Sequence, residues 1–423
     1  MFKPRIFYTL GLWLLLPYIF FHLLWRGRKQ PEYLQHIGER FGFYSRPSGK
    51  PVIWLHTVSV GETRAAATLI KRLREKYPDY QLLLTHITPT GRAASEQLYG
   101  DDVLRVYLPY DYPFAARRFL RHFKPQLGIL LETEIWFNLI HASHEAGTPL
   151  LLLNARMSEK SARGYARFAR LTRTALGELA AISAQTADDA KRLSQLGASN
   201  VSVMGNLKFD IEPPSAMLEL GKQLRAQFGE DRKVLLAAST REGEEALLMD
   251  ALTQVDLPGL LLVIVPRHPQ RFDEVAALLK KHSLRFQRRS EGRPVAADTQ
   301  AVLGDSMGEM FAYYAACDVA FIGGSLLPYG GQNLIEACSV GKPVLIGPHT
   351  FNFAEAAKQA IAERAAIEIQ TAHELAAAAK ELLNSTPQQA EMGLAGKKFS
   401  QKHGGATVNA IRLAKAHIKH RSS

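Results

Sequence analysis

Short runs of consecutive apolar residues alternate along most of this chain with stretches in which apolar residues recur every three or four positions. Unbroken apolar runs indicate strands buried on both faces. Their alternation with helical patterns indicates a parallel sheet. PVIWLHTV, QLLLTHIT, VLRVYLP, QLGILLE, PLLLLNA, LAAISAQ and VSVMGN are predicted strands, with helices between them such as one from about Glu62 to Tyr77 and one from about Glu134. The rhythm breaks at IEPP, residues 211–214, which marks a hinge. It restarts with KVLLAAS, GLLLVIVP, LRFQRRS, AVLGD, VAFIGGS, PVLIGP and AAIEI, and a basic helical tail runs from about Pro387 to His420.

The pattern predicts an α/β protein of two Rossmann-like domains. In such sheets ligands bind outside the carboxyl ends of the strands. The start of the chain is different. Residues 6–25 contain no Asp, Glu, Lys or Arg, and twenty helical residues cover roughly 30 Å, the thickness of a bilayer core. Lys3 and Arg5 precede the run, and Arg26, Arg28 and Lys29 follow it. The basic cluster after the run places the globular part on the cytoplasmic side. No small-residue cleavage pattern points to a removed signal peptide. Pro17 and His22 leave open a helix lying at the interface, and a helix buried in the protein is the remaining alternative. The expected division is a membrane-anchor helix over 1–28, a first domain over 29–212 and a second over 213–423 that includes the tail. The linker after the anchor mixes Arg40 and Arg46 with Phe41, Phe43 and Tyr44, a composition suited to lipid head groups or to ordinary core packing.

At 423 residues the chain has room for two full cores. A net charge of +12 favours anionic partners: nucleic acid, anionic lipid or phosphorylated substrates. No nucleic-acid module signature is present. The only cysteines, Cys317 and Cys338, lie in apolar runs and read as buried thiols in a reducing compartment.

The polar residues at strand ends carry the candidate chemistry. Glu62 follows Ser59, Val60 and Gly61 after the first strand. A carboxylate there can accept the proton of an acceptor hydroxyl, or merely complement the dipole of a helix start. Glu132 ends a buried strand, where a carboxylate needs a partner; Glu134 reads as an exposed helix start. Arg156 and Lys208 also end strands. In the second half, Pro266, Arg267 and His268 follow a strand, and Arg suits phosphate. Met307, Gly308 and Glu309 lie at a predicted helix start that suits an anion. GGS, residues 323–325, permits close backbone approach to a ligand. Asn333 and Glu336, three apart, share a helix face, and this Glu can accept from ribose hydroxyls. No GxxxxGK[ST] occurs, no metal-ligand cluster stands out, and the expected site uses no metal. A sugar-nucleotide-dependent transferase fits these features.

The motifs GERFGFY, HTVSVGET, THITPTGR, VYLPYD, ETEIWFN, NARMS, GNLKFD, VPRHPQRF, GDSMGEM, FIGGSL and GGQNLIEA together resemble the Kdo (3-deoxy-D-manno-octulosonic acid) transferases of lipopolysaccharide synthesis, nearly end to end. The resemblance implies a GT-B fold, two domains facing a cleft, an N-terminal acceptor domain and a C-terminal domain for the donor CMP-Kdo. It implies inverting transfer to a lipid A precursor (lipid IVA) at the cytoplasmic face of the inner membrane, with no cofactor, no metal and no nucleic acid. By position it makes Glu62 the general base, assisted by Glu132 and Lys208. Pro266, Arg267, Met307, Gly308, Glu309, Asn333, Leu334, Ile335 and Glu336 would hold CMP. The residues themselves leave open another GT-B transferase with a different nucleotide, a nucleotide-sugar epimerase, or a catalytically silent lipid-binding protein.

Overall fold

A computed structural model describes residues 4–45 and 49–418. Lys3, Arg46 and His420 therefore lie outside the described residues. The chain divides into two compact units: Met1–Asp210 with Gly404–Ser423, and Ile211–His403.

Every predicted apolar run forms a strand. The first unit contains β1 (Val52–His56), β2 (Gln81–His86), β3 (Leu104–Tyr107), β4 (Pro125–Leu131), β5 (Leu150–Ala155), β6 (Ala181–Ala184) and β7 (Val201–Val203). They pair in parallel in the order β3-β2-β1-β4-β5-β6-β7. The second unit contains β8 (Lys233–Thr240), β9 (Leu260–Pro266), β10 (Phe286–Arg288), β11 (Ala301–Leu303), β12 (Val319–Ile322), β13 (Val344–Ile346) and β14 (Ala366–Glu368). Their order is β10-β11-β9-β8-β12-β13-β14, again parallel. In each sheet the direction of winding reverses beside its first strand, between β1 and β4 and between β8 and β12. Crevices at such reversals are where α/β sheets bind ligands. Both sheets are buried on both faces, as the unbroken apolar runs require.

The chain leaves the first unit at Asp210, one residue before the IEPP break. The tail departs from expectation. It splits at Gly404 and Gly405 into helices Thr386–His403 and Ala406–His417, and only the first belongs to the second unit. The second helix returns to the first unit because its small face (Ala406, Ala410, Ala414) and Ile418 bury in the core with Ile53, Leu55 and Leu127. The Asp210 carboxylate accepts the N–H groups of Gly405 and Thr407, which caps that helix from a distant part of the chain.

The N-terminal helix runs from Pro4 to Lys29. Its first turns dock on the first unit. Tyr8 Oη donates to Asp111 Oδ2 at 2.9 Å, Thr9 Oγ1 donates to Asn138 Oδ1 at 3.1 Å, and Tyr112 Oη donates to the Leu12 carbonyl at 2.6 Å. Trp13 packs beside the rings of Tyr112 and Phe114. Beyond Trp13 the apolar side chains Leu14, Leu15, Tyr18, Phe20, Phe21, Leu24 and Trp25 are exposed. The aromatic linker divides as well. Phe43 is exposed under the Arg118 guanidinium, whereas Tyr44 packs among Phe119, His122 and Phe123, Phe41 packs on Tyr110, and Arg40 is buried.

Candidate active site

In the first unit the candidate residues follow the carboxyl ends of β1, β4, β5 and β7. Ser59 caps helix Val60–Ala65, accepting the Glu62 N–H at 3.3 Å. The Glu62 carboxylate turns back over this cap. Its Oε2 accepts the Val58 N–H at 2.7 Å and its Oε1 accepts the Ser59 hydroxyl at 2.9 Å. The cap is reciprocal, although Glu62 takes the Val58 N–H where a capping box would take that of Ser59, so the helix-start role exists in the structure. Two donors leave lone pairs on both carboxylate oxygens for a further proton. Burial, the largest effect, raises the Glu62 pKa above the ordinary glutamate range. The charges of Glu132 and Glu134 push the same way, against the two hydrogen bonds.

Glu132 follows β4 directly and holds a left-handed backbone, φ 62°, with its N–H bonded to the Leu153 carbonyl. A non-glycine residue there costs on the order of 1 kcal/mol, and such outliers gather at functional sites. Glu134 is not the exposed helix start expected from the sequence. The helix begins later, at Phe137, because Glu134 is half-buried and accepts from Trp136 Nε1 at 2.6 Å. It lies 3.7 Å from His56 Nε2, a fully buried nitrogen without a hydrogen bond among the described residues. His86, hydrogen-bonded to Thr57, is driven down to about 3 by burial and is neutral.

Lys208 is half-buried in a single turn, Leu207–Phe209. Asn154, at φ 54° in the irregular stretch of β5, accepts the Leu207 N–H at 3.0 Å and fixes this turn. NARMS thereby supports GNLKFD, while Arg156 of that motif is exposed.

In the second unit the candidates lie at the ends of β9, β11 and β12. Arg267 follows Pro266, and its Nε donates to Gln332 Oε1 at 3.1 Å. Met307 is exposed and Gly308 has φ 81°. Glu309 precedes helix Met310–Ala316, accepts the Ser306 hydroxyl at 2.7 Å and lies 3.3 Å from Arg289 Nε. Asn333 caps helix Leu334–Val340, accepting from Ile335 N, and its Nδ2 donates to Glu336 Oε1 at 3.1 Å. Glu336 is half-buried, but the side chains of Leu334 and Ile335 lie wholly in the core. Those two can meet a ligand only through their backbone.

The GGS loop differs from the sequence reading. Gly323 is required by packing: a Cβ there would stand 2.6 Å from the Ser239 carbonyl oxygen. The Gly324 amide is already taken by a residue outside the motif. Glu244, fully buried, accepts Gly324 N at 2.6 Å, Leu326 N at 3.0 Å and Arg241 N at 2.9 Å. Beside it, buried Glu245 pairs with Arg271 at 2.6 Å and accepts the Thr240 hydroxyl. The signal was the pair of adjacent acids just after a buried strand, which is costly unless both find partners.

Sequence and structure comparisons agree with this layout. The model of a family described as 3-deoxy-D-manno-octulosonic-acid transferase (kdotransferase) matches residues 35–211. One described as glycosyl transferases group 1 matches residues 229–399. A 3-deoxy-D-manno-octulosonic acid transferase of Bordetella pertussis is 41% identical over 419 residues, covering 96% of this chain and 97% of the relative. One from Haemophilus influenzae is 37% identical over 422 residues, covering 98% and 99%. The crystal structure of Anabaena HepE with UDP superposes with a TM-score of 0.54 at 16% identity over 86% of this chain and 99% of that one, a likeness of fold alone.

Proposed function

This chain belongs to the 3-deoxy-D-manno-octulosonic acid transferases and is a glycosyltransferase of GT-B fold, and from that premise we propose that it moves Kdo from CMP-Kdo to a lipid A precursor, lipid IVA, in lipopolysaccharide synthesis. The observation that carries this reading is the Glu62 carboxylate at the β1–β4 crevice, oriented by Val58 N–H and Ser59 Oγ and raised in basicity by burial. A base so held is poised to take a hydroxyl proton.

The reaction is a single inverting displacement. The acceptor hydroxyl gives its proton to Glu62. Its oxygen bonds to the anomeric carbon of Kdo while the bond from that carbon to the phosphate oxygen breaks, and CMP leaves with the electron pair. Glu132 and Lys208 support the charge that develops. CMP binds the second unit: Arg267 meets phosphate, the turn over 307–309 lies along the nucleotide, and Glu336, oriented by Asn333, accepts from ribose. Pro266 shapes the Arg267 turn, and Leu334 and Ile335 contribute backbone. Cationic side chains and helix starts stabilise the leaving phosphate without a metal.

The N-terminal helix holds the enzyme on the inner membrane, facing the cytoplasm. Its first turns hydrogen-bond to the first unit as far as Leu12 along one side, while Ile6, Phe7, Leu10 and Trp13 are exposed and continue into the exposed side chains from Leu14 to Trp25. The helix therefore keeps one side of its first turns on the protein and offers its apolar remainder to lipid.

The direct test incubates the full chain with CMP-Kdo and a tetra-acylated disaccharide lipid and weighs the products. A mass gain of one or more Kdo units, in the presence of EDTA and absent from Glu62→Gln, is expected. No Kdo-bearing product, with CMP-Kdo intact, overturns the reading.

A further inference from the structure

Three basic side chains stand at the ends of neighbouring strands in the second unit: Arg241 after β8, and Arg267 and His268 after β9. β8 is the strand that borders the crevice with β12, so Arg241 stands nearer the reversal point than Arg267 does. The Arg241 guanidinium lies 4.4 Å from the centre of the Tyr329 ring. Its Cγ comes within 3.5 Å of where a Cβ on Gly324 would be. Its Nε donates to Glu242, at 3.2 Å. Both Nη groups are without a protein acceptor among the described residues. Burial first, then the charges of Arg241 and Arg267, hold the His268 pKa below its ordinary value. At that ring the two arginines outweigh the neighbouring Glu242 carboxylate.

The turn that carries Arg241 is fixed from below. The Glu244 carboxylate accepts Arg241 N along with Gly324 N and Leu326 N, tying the β8 turn to the β12 loop. This also fills with a protein carboxylate the kind of amide concavity that often receives a ligand anion. An anion arriving here must be met by side chains. The donor of this family carries two anionic groups, the phosphate of its nucleotide and the carboxylate of an ulosonic acid. Arg267 accounts for one of them.

We propose that Arg241 is the donor-specificity residue, its free Nη pair receiving the carboxylate of the transferred sugar, with Glu244 as the positioning residue that holds its turn. A guanidinium fork matches a carboxylate in two parallel hydrogen bonds. Tyr329 keeps the plane of the fork oriented, as a ring face does for a stacked guanidinium. The proposal rests on the reading that the second unit binds the CMP-linked donor.

The test compares two ligands in the same protein. CMP affinity is measured by titration, and the CMP-Kdo KM and kcat/KM from initial rates, for full-length wild type, Arg241→Ala and Arg241→Lys. We expect CMP affinity in both variants within about twofold of wild type, and a fall in kcat/KM for CMP-Kdo of about tenfold or more in Arg241→Ala, carried by KM. Arg241→Lys keeps the charge and should recover part of it. Because CMP reports on the same folded pocket, a misfolded variant reveals itself by losing both. An equal loss of CMP and CMP-Kdo in Arg241→Lys, or no loss of CMP-Kdo in Arg241→Ala, overturns the proposal. Failure of wild type to bind CMP at all overturns instead the donor assignment beneath it.

Discussion

Ser59 and Glu62 hold one another: the serine hydroxyl donates to the Glu62 carboxylate at 2.9 Å while its oxygen accepts the Glu62 amide at 3.3 Å. One pair of side chains thus starts a helix and, on the proposed mechanism, aims a base. The two roles separate by measurement. Glu62→Gln keeps the shape and removes the proton acceptor, so turnover should fall roughly 10²-fold or more. Since burial opposes the Glu62 charge, the loss of that charge should cost no more than about 1 kcal/mol in thermal unfolding. Normal turnover would leave Glu62 a helix cap only.

On the proposed mechanism the same residue should set the acid side of the pH profile. Glu62 must be ionised to accept a proton, and its pKa is raised. As pH falls through that raised value the base is protonated and the rate drops tenfold per unit. The acid limb of kcat/KM should therefore lie above the ordinary glutamate range. Removing Ser59 in Ser59→Ala deletes a hydrogen bond that favours the charged form, which should shift the limb further upward.

On the donor side, the proposed binding mode has Arg267→Ala remove a phosphate contact and Glu336→Ala a ribose contact. Charged hydrogen bonds of this kind are worth about 1.5–3 kcal/mol, so CMP affinity should fall roughly tenfold to a hundredfold in each variant, read by calorimetric titration. Unchanged affinity in both, with the melting curve intact, removes the nucleotide from this unit.

As a proposed membrane anchor, the N-terminal helix should contribute in two separable ways. Polar replacements of Leu14 and Phe21 on its exposed face should sharply reduce binding to vesicles of anionic phospholipid while leaving turnover of a detergent-dispersed acceptor in place. Deleting residues 1–28 should do the same and also lower the melting temperature, because Asp111, Asn138 and Tyr112 lose their partners in the helix. Asp111 keeps the N–H groups of Asn138 and Leu139, so the first unit should still fold. Vesicle binding unchanged by either alteration contradicts the anchor.

The strands were legible because each is buried on both faces and so reads as an unbroken apolar run. Glu62, Glu132 and Lys208 were legible as polar residues stranded at the ends of such runs. What the sequence hid are relationships across long separations. Glu244 looks like one acid among several until Gly324 and Leu326, 80 and 82 positions away, are brought to it. The docking of Tyr8 on Asp111 spans 103 positions, and a row of apolar residues gives no sign of it. The small face of helix Ala406–His417 carries too little hydrophobicity to announce which core it fills; packing against the first unit decides that.

The cap that Asp210 places on this last helix can be weighed directly. Asp210→Ala leaves the Gly405 and Thr407 amides without their acceptor and should cost about 0.5–2 kcal/mol in the unfolding of the first unit. A melting curve identical to wild type would mean that the apolar contacts alone hold the helix.

That helix also imposes an order on biosynthesis. The first unit's core includes Ala406, Ala410, Ala414 and Ile418, which leave the ribosome only after the whole of Ile211–His403 has been made. A nascent chain therefore displays an unsealed apolar surface beside β1, β4 and β5 for the entire time its second half is being translated. The second unit, by contrast, is contiguous in sequence and can close as soon as it emerges. The half that is synthesised first is the half that finishes folding last.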